Sequence, residues 1–332
     1  MSAGELSASA LNYAFIHGQG RSGTNFLLGL INQSPASHCR NEPDQLKDSA
    51  LGRLEPFRFF VDRPDNLAAL YDAAIVDTAA LTGPRDHGVH WSKAWIYPGM
   101  RAPGFFYIYR NYRWMHKLVY RTKPMDGRER TFPFWMSSSR RLRGAAHVFK
   151  VNAFVGVARW SLRNRPDAKT LHIVRHPGGF AKSWYRRWAQ GKTEQRTSDL
   201  KVGWNPLSRL EALIEREESW ARRIGDPGGL TAVERELWWW RFCTEETAAA
   251  GAGQDNYRRI LFEELAEETV PRTREIFEFL GLPWNPGVEA RVSEVGRGSA
   301  KIAGAWRDEL EPEVVEVVER VTADSPALTW WS

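Results

Sequence analysis

A chain of 332 residues with 42% hydrophobic content can bury a full core, so it reads as an ordinary globular protein. Two cysteines, Cys39 and Cys243, exclude a disulfide framework and lack metal-ligand spacing, which predicts reduced thiols in a cytoplasmic protein. The N-terminus has no basic region followed by a long apolar run, and no stretch reaches the length of a membrane span. The net charge of +6 favours anionic ligands without choosing among them. It is concentrated in residues 101–150, which carry twelve Lys/Arg against two acidic side chains.

In chain order, residues 1–10 read as a frayed tail. The apolar run Tyr13, Ala14, Phe15, Ile16 is a strand that empties into a glycine-rich loop, Gly18, Gly20 and Gly23. A helical pattern over 22–32 follows, with Phe26, Leu27, Leu30 and Ile31 on its apolar face, and then a short segment, SHCRNEPDQL. Residues 43–146 are the least regular part, with helical pieces at 66–81 and 109–119 among Pro/Gly loops. They predict an acceptor-side insertion or lid within a single domain spanning 1–332. Regular alternation then resumes: a strand at 147–151, a helix at 154–162, a strand at 169–175 and a helix from Pro177 through Trp188. Helices are predicted at 206–223 and 231–249, split by GDPGG, then a strand at 259–262 and a helix at 270–280 capped by Gly281. The tail holds a turn-rich segment, GRGSAKIAG, then Trp306 and a helix at 312–321. Alternating strands and helices predict an α/β fold, a parallel sheet of four or five strands flanked by helices in P-loop NTPase-like topology.

The opening loop is an anion cradle by construction. A helix N-terminus offers unpaired N–H groups and a positive dipole end, and glycine lets an anion approach them. Gly18 and Gly23 match the nucleotide P-loop pattern G-x-x-x-x-G-K-[ST]. Thr24 stands where that pattern has lysine, and the basic residue has moved forward to Arg21. Arg175, at the end of a buried strand, and Ser183, in the second turn of the next helix, form a second phosphate clamp. Lys150 lies near the end of another strand, and ligands of open parallel sheets collect outside those carboxyl ends. Taken singly, each feature also fits an unliganded turn or a helix-start ion pair.

GQGRSGTNFLLGLINQSP, FKVNAFVGVARWSLRNRPDAKTLHIVRHPGGFAKSW, ILFEELAEETVPRTREIFEFLGLPW and the terminal AWRDEL follow one another in the chain. In that order they resemble the successive blocks of the PAPS-dependent sulfotransferases, especially the carbohydrate and tyrosylprotein branches with their RSGT loop. The resemblance implies 3′-phosphoadenosine 5′-phosphosulfate (PAPS) as donor, PAP (3′,5′-ADP) as product and no metal. It assigns Arg21, Ser22, Gly23, Thr24 and Asn25 to the 5′-phosphosulfate, and Arg175 with Ser183 to the 3′-phosphate. Arg297, Gly298, Ser299 and Lys301 then fall in the segment that closes over the nucleotide. Glu42, 21 positions after Arg21, resembles the catalytic glutamate of the tyrosylprotein branch, with Arg21 and Lys150 neutralising charge on the transferring group. Cytosolic members use a mid-chain histidine instead, which keeps His87, His90 and His116 as candidate bases. Two departures stand out. Phe262-Glu263 replaces the family's Tyr-Glu, leaving ring packing but no phenol, and Gly304-Ala305-Trp306 replaces Ser-Lys-Trp.

The basic, aromatic stretch 101–143 is the expected site of acceptor recognition. Its aromatic faces and cations suit a sugar, a phenol or an anionic hydroxyl-bearing acceptor. Two other readings compete. A P-loop kinase using ATP conflicts with Thr24 at the lysine position and with the lack of a metal-binding carboxylate after the strand ending HIVRH. A nucleic-acid-binding module leaves the glycine loop without a role, so no nucleic-acid partner is expected.

Overall fold

Five parallel strands form one sheet in the order β2-β3-β1-β4-β5. They are β1 (Tyr13–Gly18), β2 (Ser37–Asn41), β3 (Ala146–Asn152), β4 (Lys169–Val174) and β5 (Tyr257–Leu261). The computed structural model describes residues 8–45, 51–62, 64–80, 145–188 and 205–331. The helices, in chain order, are α1 (Thr24–Ile31), α2 (Leu67–Ala80), α3 (Val155–Asn164), α4 (Pro177–Trp188), α5 (Pro206–Arg216), α6 (Glu218–Ile224) and α7 (Ala232–Gly251). After β5 come α8 (Phe262–Glu267), α9 (Thr269–Leu280), α10 (Pro286–Gly296), α11 (Ser299–Gly304), α12 (Trp306–Glu309) and α13 (Pro312–Thr322). This is the expected fold class, a parallel sheet flanked by helices in P-loop NTPase-like topology.

Helices cover both faces of the sheet, so β1, YAFIHG, is buried at every position rather than at alternate ones. Ala14, Ile16, Val148, Leu171 and Ile173 pack against Leu27, Leu30 and Ile31 of α1 and Ile276, Phe277 and Leu280 of α9. On the other face Phe15, Phe149 and Val151 meet Leu67, Tyr71 and Ile75 of α2 and Val157 of α3. Val174 and Leu261 meet Phe180 of α4, Trp240 of α7 and Val318 of α13. Local chemistry sets the helix ends. Thr231 and Glu234 form a reciprocal capping box at the start of α7. Gly281 ends α9 at φ 69°, and the Leu282 amide returns to the Phe277 carbonyl at 2.7 Å.

Three elements depart from the sequence expectation. β2 is a strand although SHCRN has little apolar character, because it pairs along its length with β3, from Ser37 opposite Ala146 to Asn41 opposite Lys150. The helix expected over 206–223 breaks at Glu217, whose extended backbone (φ −123°, ψ 92°) separates α5 from α6. The turn-rich GRGSAKIAG contains α11, entered through Gly298. Of the segment 43–146, α2 matches the expected helix at 66–81, while the piece at 109–119 lies outside the described residues. Among the described residues no helix is long and apolar enough to cross a membrane.

The topology sets where a ligand can sit. From β1 the chain crosses to β2 and β3 on one side and later to β4 and β5 on the other, so β1 lies at the switch point and its carboxyl end opens into a crevice. Leu30→Ala, at a position with no exposure, lowers stability by about 2–5 kcal/mol. Thr231→Ala, which removes a cap, lowers it by about 1 kcal/mol. Denaturant unfolding checks both, and a Leu30→Ala loss no larger than the cap loss contradicts the core assignment.

Candidate active site

β1 ends at Gly18, and the loop from Gln19 to Gly23 turns back to start α1. Arg21 (φ 80°) and Gly23 (φ 92°) both adopt left-handed backbone. At Gly23 a side chain is excluded twice, by that φ and because a Cβ would lie 2.3 Å from the Phe262 ring. No acidic residue occupies the first turn of α1, so its amide end keeps its positive character. The Ser22 hydroxyl is buried with no hydrogen-bond partner among the described residues. These are the features of a phosphate cradle.

A cationic cluster assembles beside the same loop. Arg175 follows β4 directly. Its guanidinium donates to the Arg21 carbonyl at 3.4 Å and to the Ile302 carbonyl at 3.3 Å, and lies over the Phe262 ring at 4.6 Å. Arg21 Nε donates to Ser183 Oγ at 3.0 Å. Burial pushes the Arg175 pKa down; Glu263 opposes this and Arg21 adds to it. Arg175 Nε is buried without a hydrogen-bond partner among the described residues. Two arginines from different strand ends meet at one loop, one of them desolvated, and form a field that an anion relieves. The corner is braced behind by His176, which stacks on Trp306 at 4.3 Å, and by Glu263, which accepts from the His176 amide and the Trp331 indole.

A second cluster lies across β2 and β3. Lys150 is 1% exposed, and its ammonium donates to Asn41 Oδ1 at 2.9 Å and to Glu42 Oε1. Burial pushes the Lys150 pKa down, while Glu42 and Asp44 act to hold it up. Glu42 itself has left-handed backbone (φ 53°), and its amide donates to the Lys150 carbonyl at 2.8 Å. Asn152 Nδ2 also donates to Glu42 Oε1, at 2.5 Å, and Thr24 Oγ1 of the loop donates to Asn152 Oδ1 at 3.2 Å. A buried pair, Arg58 with Asp44, supports this cluster, and Arg58 donates to the Asn152 carbonyl at 3.0 Å.

The structure thus brings Arg21, Ser22, Gly23, Thr24, Arg175 and Ser183 together, and links Lys150 and Glu42 to them through Asn152. Asn25 is exposed in the first turn of α1. The 297–301 segment adjoins Ile302, whose carbonyl accepts from Arg175. Arg297, Gly298 and Lys301 are exposed, but the Ser299 hydroxyl is turned inward onto the Ala266 and Gly296 carbonyls, each at 2.7 Å. His87, His90, His116 and the stretch 101–143 lie outside the described residues. Asn152 and Asn41 are site residues that motif reading does not pick out, and neither has a local signal; the Phe262 ring packs against Arg175 and under Gly23. Among the described residues no group of His, Cys, Asp or Glu is arranged to hold a metal ion.

Several solved structures are similar to this chain at low identity. The sulfotransferase of Alicyclobacillus acidocaldarius is 21% identical, with 96% of this chain and 93% of that one covered and a TM-score of 0.41. Mouse sulfotransferase SULT7A1 complexed with PAP is 13% identical, with 100% and 95% covered and a TM-score of 0.45. The sulfotransferase domain of the Synechococcus PCC 7002 olefin synthase is 16% identical, with 95% and 96% covered and a TM-score of 0.42. No curated protein matches the sequence. The family model described as Sulfotransferase family matches residues 14–286, a span that runs from β1 into α10 and contains the loop, the clamp and the Glu42 cluster, and by that match the chain belongs to the sulfotransferase family.

Proposed function

We propose that this sulfotransferase moves a sulfuryl group from PAPS to an acceptor hydroxyl with Glu42 as general base. One observation carries the reading: Thr24 of the loop, Asn152 and Glu42 are joined by consecutive hydrogen bonds, which sets a carboxylate beside the anion cradle. The residues fit the donor. The loop amides and the buried, unpartnered Ser22 hydroxyl would hold the 5′-phosphosulfate. Arg175 and Ser183 would hold the 3′-phosphate, with Phe262 fixing the guanidinium plane. The exposed Arg297, Gly298 and Lys301, and the backbone of Ser299, would close over it. Bound there, the donor supplies a sulfuryl group on a phosphate leaving group.

Glu42 takes the proton of the acceptor hydroxyl as the acceptor oxygen bonds to sulfur and the bond from sulfur to the 5′-phosphate oxygen breaks. Lys150 and Arg21 neutralise negative charge on the departing phosphate side. Nothing in this scheme calls on a metal ion. Thr24 at the lysine position supports PAPS over a nucleoside triphosphate. Two buried thiols, Cys39 and Cys243, support placing the enzyme in the cytoplasm. The acceptor is a small hydroxyl compound, a glycan, lipid-linked sugar or phenol, and we assign its recognition to the 43–146 insertion of a single-domain enzyme.

Removing one charged partner of a phosphate costs about 2–3 kcal/mol, so Arg175→Ala weakens 3′,5′-ADP binding by roughly 30- to 150-fold in calorimetric titration. An unchanged affinity removes Arg175 from the donor site. Glu42→Gln keeps 3′,5′-ADP binding within about twofold but lowers turnover of labelled donor by about 100- to 10,000-fold. Retained turnover rules out Glu42 as base. In thermal shift, 3′,5′-ADP raises the melting temperature and ATP with magnesium does not; the reverse pattern identifies a kinase. Labelled donor applied to a cell extract, followed by mass identification of the product, names the acceptor.

A further inference from the structure

Glu42 Oε1 accepts from both Lys150 and Asn152, and no described residue donates to Oε2. An ionised carboxylate has only acceptors, so Asn152 must turn its NH2 toward Glu42 and its carbonyl toward Thr24. That orientation obliges the Thr24 hydroxyl to donate its proton to Asn152, as the 3.2 Å contact records. The Asn152 backbone is held as firmly as its side chain. Arg58 binds its carbonyl, Asp44 binds Arg58, and Asn152 sits in register opposite Gly18, where the donor loop begins.

We propose that Asn152 is a positioning residue for sulfuryl transfer: it ties the donor loop at Thr24 to Glu42 Oε1, so that Glu42 Oε2 is the oxygen that receives the acceptor's proton. The proposal rests on Glu42 being the base. Asn152 carries no proton in the reaction and cannot itself serve as base, since an amide is not basic near neutral pH. Its role is to hold one oxygen still so that the other has a single orientation, a condition that general-base geometry requires. A corollary concerns Thr24, whose hydroxyl proton is committed to Asn152 and whose contribution to the anion is its backbone amide.

A hydrogen bond donated to the charged form of a carboxylate favours that form, so the Asn152 amide supports the proton-accepting state of the base. The charged groups facing Glu42 are Lys150 from β3 and Asp44 from the adjoining turn, Pro43–Gln45, with Arg58 balancing Asp44. The test needs no known acceptor. Enzyme labelled with 13C at the glutamate carboxyls is observed by NMR at fixed pH, and the Glu42 resonance is identified by its disappearance in Glu42→Gln. In Asn152→Ala and Asn152→Asp the Glu42 resonance moves away from its parent position, because the amide donor to Oε1 is gone. In both variants 3′,5′-ADP binding within about threefold of the parent shows an intact fold and donor site.

With 4-nitrophenol as probe acceptor, Asn152→Ala lowers kcat by about 10- to 100-fold with donor KM within about twofold, and the acidic limb of the pH profile moves upward. An unmoved Glu42 resonance in Asn152→Ala overturns the proposal, whether or not the probe is turned over. A lowered kcat with an unmoved acidic limb also overturns it, since that is what a purely structural asparagine would give. The reading beneath it fails separately, through retained turnover in Glu42→Gln.

Discussion

The cluster at the ends of β2 and β3 is built around one buried ammonium. Lys150 is almost wholly removed from water, and an unpaired charge in that position would cost several kcal/mol. Asn41 and Glu42, at the end of β2, supply the compensating oxygens. That requirement explains why a polar segment forms a strand at all: pairing β2 with β3 in this register sets Asn41 opposite Lys150. It also explains the left-handed backbone of Glu42, which costs about 1–2 kcal/mol but lets its amide and its carboxylate both return to Lys150.

The glycine loop and the Arg175 corner solve a different problem with an aromatic ring. Phe262 lies under Gly23 and against the Arg175 guanidinium, so the same side chain sets the height of the loop and the plane of the clamp. A phenol is not needed for either task, and its absence leaves the site geometry whole. The positive-φ non-glycine residues among the described ones are Arg21, Glu42 and Ala153, and all three border this crevice. Local strain gathers where side chains must be aimed rather than merely packed. The two halves meet at Asn152, whose side chain touches the loop on one side and the carboxylate on the other.

Legibility in the sequence followed the range of the interaction. The glycine loop, its displaced basic residue, Arg175 with Ser183 eight positions later, and the capped helices all rest on contacts within one strand-turn-helix unit, and they are visible as spacing. β2 was not visible, because its stability comes from a partner strand 109 positions away and not from its own hydrophobicity. The break at Glu217 was hidden for a related reason: α5 and α6 are each amphipathic, and only their packing shows that one axis cannot serve both. Ser299 shows the limit of carrying a motif over residue by residue, since its hydroxyl faces the Ala266 and Gly296 carbonyls.

What the chain alone determined was its fold class and the elements of its candidate site: a parallel α/β sheet, a glycine loop without the P-loop lysine, and two arginines, Arg21 and Arg175, at strand ends. Periodicity and spacing encode these because they are local and repeat the geometry of a strand or a helix turn. What only the tertiary structure decided was which side chains share an atom. Glu42 Oε1 receives Lys150 and Asn152 from a strand more than a hundred residues downstream, and such convergence is set by sheet register, for which no short stretch of sequence carries a signal.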